Sequence, residues 1–287
     1  AKVVDPDGNH YIDYILGLLP ITLGYCDSDV DSAVINQMMK GTIFSLPSTL
    51  EMQLSEILVD LIPSAEMVRF GKNGSDATTA AIRLARAFTN RDLIAVAGYH
   101  GWHDWFIGSS SRNLGVPKSV EKLTKKFIFN DPESLKYLFT KYNNKFAAVI
   151  LEPSGLIDAD KSFLKTIRKL CDKHKVVLIF DEVISGFRIN LRGAQYKYDV
   201  TPDLSCFGKG MANGYPISAI VGKRKIMKLM EQIFFSTTFG GDTLSMMAAI
   251  TTIQKLKKLN VVEKNINFGK NLSTKLNKVI KVSKLRN

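Results

Sequence analysis

Short apolar segments that end in polar or glycine-rich residues constrain the fold of this chain more than any other feature. We predict strands at 93–97, 147–151, 176–180, 204–207 and 217–221. Each segment is four or five residues long and almost continuously apolar. Such segments are typical of strands that are covered on both faces of a sheet. A sheet buried between layers of other elements is therefore expected.

Helical patterns lie between these segments. We predict helices at 76–88, 132–142, 162–174 and 246–259. The second of these begins at Asp131-Pro132-Glu133, where a capping residue precedes a proline at the first helical position. Alternating strands and helices predict an α/β fold with a mainly parallel sheet between helices. Ahead of this pattern, residues 1–13 are predicted to form a strand, a turn and a second strand.

The composition favours a globular protein and excludes several classes. The chain has 287 residues, of which 45% are hydrophobic and 23% charged, so it is not expected to be disordered. We predict no transmembrane helix, because no apolar run reaches ~18 residues, and we see no signal-peptide pattern. The three cysteines, Cys26, Cys171 and Cys206, are far apart and odd in number. They argue against a disulfide framework and predict a cytoplasmic location.

The formal net charge of +12 raises the possibility of nucleic-acid binding. Ten basic residues and a single acid fall in 255–287, which leaves only +3 for the remainder of the chain. The lysines of this stretch alternate with apolar residues at helical spacing. A solvated helix face is the preferred interpretation, and a basic nucleic-acid-binding protein is the less favoured alternative.

A metal site has little support in the sequence. His100 and His103 have ligand-like spacing, but no third ligand lies near them. Neither a CxxC motif nor a Cys/His cluster indicates zinc. We therefore predict no metal.

Polar side chains follow four of the predicted strands at the point where each strand ends. Tyr99 follows the first strand, Glu152 the second, Asp181 the third and Lys209 the fourth. In open α/β sheets, ligands bind at the carboxyl ends of the strands. The sequence therefore predicts that an aromatic ring, two carboxylates and a lysine meet at one rim of the sheet.

Lys209 is the candidate nucleophile. It lies between Gly208 and Gly210, which leave room for another group to approach the backbone. Partial burial at the end of an apolar strand lowers the pKa of a lysine and makes its neutral amine available for a Schiff base. The alternative is an ordinary surface lysine in a glycine-rich turn.

Asp181 makes the Schiff-base hypothesis more specific. Its carboxylate follows five apolar residues and needs a partner at the rim of a buried sheet. Pyridoxal phosphate (PLP) provides such a partner in its ring nitrogen, which becomes an electron sink when protonated. As alternatives, Asp181 caps the next helix or pairs with Arg188. Glu182 is the weaker candidate of the two acids and is expected to pair with Arg188 or Arg192.

A phosphate-binding turn is predicted at residues 72–77, directly before the first predicted helix. Helix N-terminal N–H groups attract anions, and Gly74 allows close approach while Ser75 adds a hydroxyl donor. A plain helix cap at Ser75 or Asp76 is the alternative. Tyr99 and Val183 are expected to cover the two faces of a planar cofactor, with ordinary packing as the alternative for each.

Taken in order, these motifs resemble those of the class III aminotransferases, which are fold-type I PLP enzymes, and most closely their glutamate-1-semialdehyde 2,1-aminomutase group. The resemblance extends through nearly the whole chain. The motifs that carry it are Asn73-Gly74-Ser75-Asp76-Ala77, Tyr99-His100-Gly101, Asp181-Glu182-Val183-Ile184-Ser185-Gly186-Phe187-Arg188 and Phe207-Gly208-Lys209-Gly210-Met211-Ala212-Asn213-Gly214.

The resemblance implies a role for each of the main candidates. Lys209 would form a Schiff base with PLP and then move a proton between substrate and cofactor carbons. Asp181 would bind the pyridine nitrogen. Gly74 and Ser75 would bind the phosphate. An enzyme that moves an amino group is the implied function.

Further roles follow from the same resemblance. Tyr99 would stack on one face of the cofactor ring and Val183 on the other, with Glu152 near the phenolic oxygen. Thr238, within Thr-Thr-Phe-Gly-Gly, matches a threonine that reaches the phosphate of the neighbouring subunit. A homodimer with a shared site, acting on a small amino or carbonyl compound, is therefore implied.

The resemblance also divides the chain into three parts. Residues 1–45 would be a partial N-terminal segment, 46–254 the PLP-binding large domain, and 255–287 the helical start of a truncated C-terminal domain. Leu18 and Asp242 depart from the aminomutase pattern, Leu18 at the place of a substrate-side tryptophan. An intramolecular amino shift and an intermolecular transfer to a sugar or another carbonyl compound therefore both remain open.

Overall fold

Within the residues that the computed structural model describes, 1–155 and 157–283, one large sheet carries the fold. A small hairpin precedes it, formed by β1 (Lys2–Val4) and β2 (His10–Ile12), as predicted for residues 1–13. The strands of the large sheet are β3 (Met67–Gly71), β4 (Leu93–Ala97), β5 (Thr124–Lys126), β6 (Phe146–Leu151), β7 (Val177–Asp181), β8 (Leu204–Phe207) and β9 (Ser218–Gly222).

The strand order is β3-β9-β8-β7-β6-β4-β5. Only β9 runs against its neighbours among these seven strands, so the sheet is mainly parallel as predicted. The five predicted strands are confirmed with boundaries shifted by at most one residue. Two strands were not predicted: β3 is interrupted by Arg69, and β5 (Thr-Lys-Lys) is a polar edge strand without an apolar run.

Helices cover both faces of this sheet. They are α1 (Ser28–Met38), α2 (Thr49–Leu61), α3 (Gly74–Thr89), α4 (Asp104–Ile107), α5 (Lys118–Glu121), α6 (Pro132–Lys141), α7 (Lys161–His174), α8 (Gly193–Tyr198), α9 (Arg224–Met227), α10 (Thr243–Lys258) and α11 (Val261–Val282). The four predicted helices correspond to α3, α6, α7 and α10.

The core lies between the sheet and three groups of helices. Helix α3 packs its alanine-rich face on strands β3 and β6–β9. On the opposite face, α6 and α7 cover one half of the sheet, while α1, α2 and α10 cover the other half. Because both faces are covered, the central strands are almost entirely apolar, and a ligand can reach the sheet only at the ends of its strands. A site at the carboxyl ends of the strands follows from this arrangement.

The described part of the lysine-rich stretch 255–287 is helical and mostly exposed, as predicted from its spacing, and residues 284–287 lie outside the described residues. The predicted domain boundary after residue 254 lies inside α10, and the division into three parts remains a prediction. In residues 1–155 and 157–283 there is no helix both long and apolar enough to cross a membrane. The three cysteines are free thiols, and two of them, Cys171 and Cys206, are buried.

Candidate active site

A cavity of about 460 Å³ opens at the carboxyl ends of the parallel strands. It brings together every predicted cofactor residue except Thr238. The predicted residues in its lining are Gly74, Ser75, Tyr99, Glu152, Asp181, Val183 and Lys209. Because they come from five different strand ends, the parallel topology is what places them around one space.

Asp181, the last residue of β7, lies at the bottom of this cavity and is 5% exposed. Its Oδ2 is 2.9 Å from Nδ1 of His100, which is buried against the rings of Trp105 and Phe106. Its Oδ1 accepts a hydrogen bond from the backbone N–H of Val183 (3.2 Å). With a proton on Nδ1, the imidazole donates to the carboxylate and fixes its orientation. The expected alternative, a pair with Arg188, is wrong, because Arg188 donates to the carbonyl oxygen of Leu19 instead.

The Glu182 side chain points away from the cavity. Its hydrogen-bond partners are backbone N–H groups and neutral side chains, not an arginine. It is fully buried and accepts hydrogen bonds from the N–H of Ala194, from Nε2 of Gln195 (3.0 Å) and from Oγ of Ser185 (3.3 Å). The predicted pairs with Arg188 or Arg192 are therefore wrong. Burial raises the pKa of the Glu182 carboxyl, and its hydrogen bonds oppose that rise.

Glu152 lies beside Asp181 in the cavity. Its Oε2 accepts a hydrogen bond of 2.8 Å from the backbone N–H of Tyr99 and so joins the ends of β6 and β4. Burial raises the pKa of Glu152, and the charge of Asp181 raises it further. The Tyr99 ring is exposed at the cavity mouth and meets the Phe106 ring edge to face at 5.5 Å.

Lys209 follows β8 and is half-buried. Its backbone has a positive φ of 38°, which turns the chain sharply at the sheet edge. Burial lowers the pKa of its ammonium group, and the charge of Arg188 lowers it too, while Asp181 and Glu152 act in the opposite direction. The neutral amine of Lys209 therefore forms at lower pH than that of a surface lysine.

The turn before α3 is a capping box, which leaves Gly74 and Ser75 as the first two helical residues. Oδ1 of Asn73 accepts from the N–H of Asp76 (3.2 Å), and Oδ2 of Asp76 accepts from the N–H groups of Lys72 and Asn73. The expected alternative, a cap at Ser75 or Asp76, is therefore wrong. The first N–H groups of a helix have no partner within it, so this turn presents free donors to the cavity.

Two glycines keep this part of the cavity open. A Cβ on Gly74 would lie 2.9 Å from Cγ1 of Val183, and a Cβ on Gly101 would lie 2.4 Å from Oγ of Ser75. Gly101 also has a φ of +100°, which L side chains rarely adopt. Any larger residue at these two positions would displace Val183 or Ser75.

Thr238 is exposed and lies outside this cavity. It lines a second, smaller cavity of about 240 Å³ with parts of the 43–51 and 235–241 segments. The described chain therefore does not bring Thr238 to Lys209.

Several lining residues were given no cofactor role from the sequence, among them His100, Lys72 and Trp102. His100 was considered only as a metal ligand, but its Nδ1 faces Asp181, and its Nε2 is buried without a hydrogen-bond partner in the described part of the chain. The His103 ring does not line the cavity, and its Nδ1 lies 2.8 Å from Oγ1 of Thr79. Among the residues described, no three His, Cys, Asp or Glu side chains form a group that could hold a metal.

These features fit the parts of a PLP molecule. A buried carboxylate suits a protonated ring nitrogen, a half-buried amine suits the aldehyde, and a glycine-serine helix N-terminus suits a phosphate. A Cβ on Gly74 would fill the space between the turn at residues 72–77 and Val183. This space is open for a ligand only because residue 74 has no side chain. The fold and the site together define a PLP-dependent enzyme of the aminotransferase type.

The chain belongs to the class III aminotransferase family, whose model matches residues 1–286. It is similar to the 3-aminobutyryl-CoA aminotransferase of Cloacimonas acidaminovorans, with 40% identity over 99% of this chain and 70% of that one. It is also similar to the glutamate-1-semialdehyde 2,1-aminomutase of Desulforapulum autotrophicum, with 38% identity over 92% of this chain and 66% of that one. The predicted family, fold class and cofactor are therefore confirmed.

A solved structure has the same fold. The FumI protein of Sphingopyxis sp. MTA144, solved in its PLP internal aldimine form, superposes with a TM-score of 0.93 at 33% identity. The match covers 98% of this chain and 69% of that one. This chain spans only about two thirds of the length of these relatives, between 64 and 70% for the curated ones.

Proposed function

We propose that this chain carries the cofactor-binding and amino-transfer site of a PLP-dependent enzyme, with Lys209 as the residue that bonds the cofactor. One observation carries the proposal: the Lys209 amine, the Asp181 carboxylate and the Gly74–Ser75 helix N-terminus line the same cavity. Each of the three suits a different part of one molecule, and they come from strand ends that are far apart in the sequence.

The cofactor, when bound, withdraws electrons from the carbon that carries the transferred amino group. Asp181 would hold a proton on the ring nitrogen, and His100 orients its carboxylate through the 2.9 Å contact. The N–H groups at Gly74 and Ser75 hold the phosphate. The Lys209 amine, which would hold the cofactor, would also be the base that removes a proton from the substrate and returns it to the neighbouring carbon.

Three further residues complete the pocket. Val183 lies next to Gly74 and supports one face of a planar ring, while Tyr99 covers the other from the cavity mouth. Glu152 is held by the Tyr99 N–H beside Asp181, and it would lie near the phenolic oxygen of the cofactor.

We further propose a homodimer in which Thr238 binds the cofactor phosphate of the partner subunit. Thr238 is exposed and lines a cavity other than that of Lys209, which suits a residue that serves a second copy of the chain. Free cysteines support a cytoplasmic location. The basic residues of α11 are spread over an exposed helix, so a small-molecule substrate is proposed and not a nucleic-acid or membrane partner.

An aminomutase-like shift of an amino group within one substrate is the main proposal for the reaction, supported by the similarity to several glutamate-1-semialdehyde aminomutases. Transfer between two molecules is the second candidate. It is favoured by the similarity to an aminotransferase and by Leu18, which is 74% exposed at the place of a substrate-side tryptophan.

One assay separates these reactions. The purified protein loaded with PLP is mixed with glutamate-1-semialdehyde and no amino donor. Formation of 5-aminolevulinate is expected for the aminomutase. If none forms, and an amino donor with a sugar or another carbonyl acceptor is converted, the reaction is an intermolecular transfer. A protein that binds PLP and catalyses neither would contradict the proposed function.

The rate of cofactor capture should depend on pH through Lys209. Burial lowers the pKa of this ammonium group below the ordinary lysine value of about 10.4, so the neutral amine is present at lower pH than usual. Schiff-base formation should therefore accelerate as pH rises and level off above the lowered pKa. Stopped-flow absorbance with added PLP measures the profile. Glu152→Gln removes a charge that raises this pKa and should move the midpoint to lower pH; a midpoint that moves upward would refute the assignment.

A further inference from the structure

Lys72 and Asp242 form an ion pair at the phosphate end of the cavity. Lys72 Nζ lies 2.7 Å from Asp242 Oδ2, and it also donates to the carbonyl oxygen of Pro216 (2.9 Å) and to Oγ of Ser245 (3.2 Å). An ammonium group has three donors, so these contacts use all of them. One lysine thereby joins the turn after β3, the segment before β9 and the start of α10.

Both partners are also fixed at their backbones. The N–H of Lys72 donates to Oδ2 of Asp76, within the capping box that places Gly74 and Ser75. Asp242 caps α10 by accepting from the N–H groups of Leu244 and Ser245. The pair is only partly exposed, 22% for the Lys72 side chain and 16% for that of Asp242, so solvent screens it less than a surface pair.

The pair also balances charge close to the position of an anion. Lys72 lines the cavity two residues before Gly74. Burial acts to raise the pKa of Asp242, but hydrogen bonds from Lys72 and Ser245 and the Lys72 charge hold it below its ordinary value. Asp242 is therefore ionised, and without Lys72 its negative charge at the start of α10 would have no compensating cation from this pair.

We propose that Lys72 is a positioning residue for the phosphate group of the cofactor, and that its ion pair with Asp242 sets the charge and the placement of the phosphate-binding turn. This role rests on the proposed PLP site. Lys72 and Asp242 would act on the cofactor phosphate through the turn at residues 72–77. It makes opposite predictions for the two partners. Removing Lys72 exposes the phosphate to an anion, whereas removing the charge of Asp242 leaves an uncompensated cation nearby.

The test is equilibrium binding of PLP and of pyridoxal, which lacks the phosphate, to the apoprotein. Lys72→Met should weaken PLP binding on the order of tenfold and leave pyridoxal binding within about twofold. Asp242→Asn keeps the helix cap, since Asn and Asp cap equally well, and should strengthen PLP binding by roughly threefold. In the double variant, PLP affinity should return to within about threefold of wild type, because no unpaired charge remains.

Controls separate this proposal from a structural role and from the PLP site itself. Lys197→Met removes a lysine of a more exposed ion pair, with Asp158, and should leave both affinities unchanged. Equal losses for PLP and pyridoxal in Lys72→Met, or a double variant as weak as Lys72→Met, would overturn the proposal. If Lys72→Met does not fold, Asp242→Asn decides alone, and unchanged or weaker PLP binding overturns it. A wild-type protein that binds neither compound would instead refute the proposed function.

Discussion

Replacement of Lys209 by alanine is expected to abolish amino transfer, with a loss of at least about a thousandfold in kcat, because the residue is proposed to be both the cofactor's covalent partner and the base. Both roles depend on the same amine, which lies half-buried at the end of β8 with a lowered pKa. Noncovalent PLP binding should survive, since Asp181 and the Gly74–Ser75 turn remain in place.

Two measurements check this prediction. Steady-state assays give kcat, and the visible spectrum shows whether the cofactor is bound as a lysine Schiff base. Lys197→Ala is the matched control, because it removes a lysine outside the cavity and should leave both readouts unchanged. A Lys209→Ala protein that keeps turnover within about tenfold of wild type would contradict the role assigned to this residue.

Replacement of Asp181 by asparagine is expected to lower kcat on the order of a hundredfold or more while leaving Schiff-base formation intact. An asparagine has nearly the same shape, and its single amide oxygen keeps one of the two contacts, with Nδ1 of His100 or with the Val183 N–H. It is neutral, however, so it does not hold a proton on the ring nitrogen of the cofactor. The expected outcome is a protein that binds PLP through Lys209 but turns over slowly, and kcat and absorbance measured together reveal that split.

Glu182→Gln is the control for this variant. Glu182 is the adjacent acid and is equally buried, but its carboxylate binds the start of α8 and does not line the cavity. Its replacement should affect the thermal midpoint of unfolding, through the weakened hydrogen bonds, far more than kcat of the folded protein. If Asp181→Asn keeps most of its activity, or if the two variants lose activity equally, Asp181 does not have the proposed role.

Much of the fold and most of the cavity lining could be predicted because the signals are local. Buried parallel strands are short apolar runs, and the residues after them are placed at one edge by the topology. Asp181 and Lys209 were found in this way, whereas Gly74 was found from the helix N-terminus that it begins. The exclusion of Glu182 from the cavity was also within reach, because consecutive residues of an extended segment point to opposite sides.

Other features depend on pairs that are distant in the sequence. His100 and Asp181 are 81 residues apart and Lys72 and Asp242 are 170 apart, so neither pair has a local signal. Strand β5 is polar because it lies at the sheet edge, and β3 carries an exposed arginine, so neither has the apolar run of a central strand. Helix α2 did carry a usable signal, since Leu50, Leu54 and Leu58 recur at helical spacing and are buried.

The most direct test of the central claim is reduction of the PLP-loaded protein with borohydride, followed by peptide mapping. Reduction converts the C=N bond of a Schiff base into a stable secondary amine and marks the lysine that formed it. The proposed site predicts stoichiometric labelling of the peptide that contains Lys209 and none of the peptide that contains Lys72. Labelling of a different lysine, or no label in a protein that has bound PLP, would contradict it.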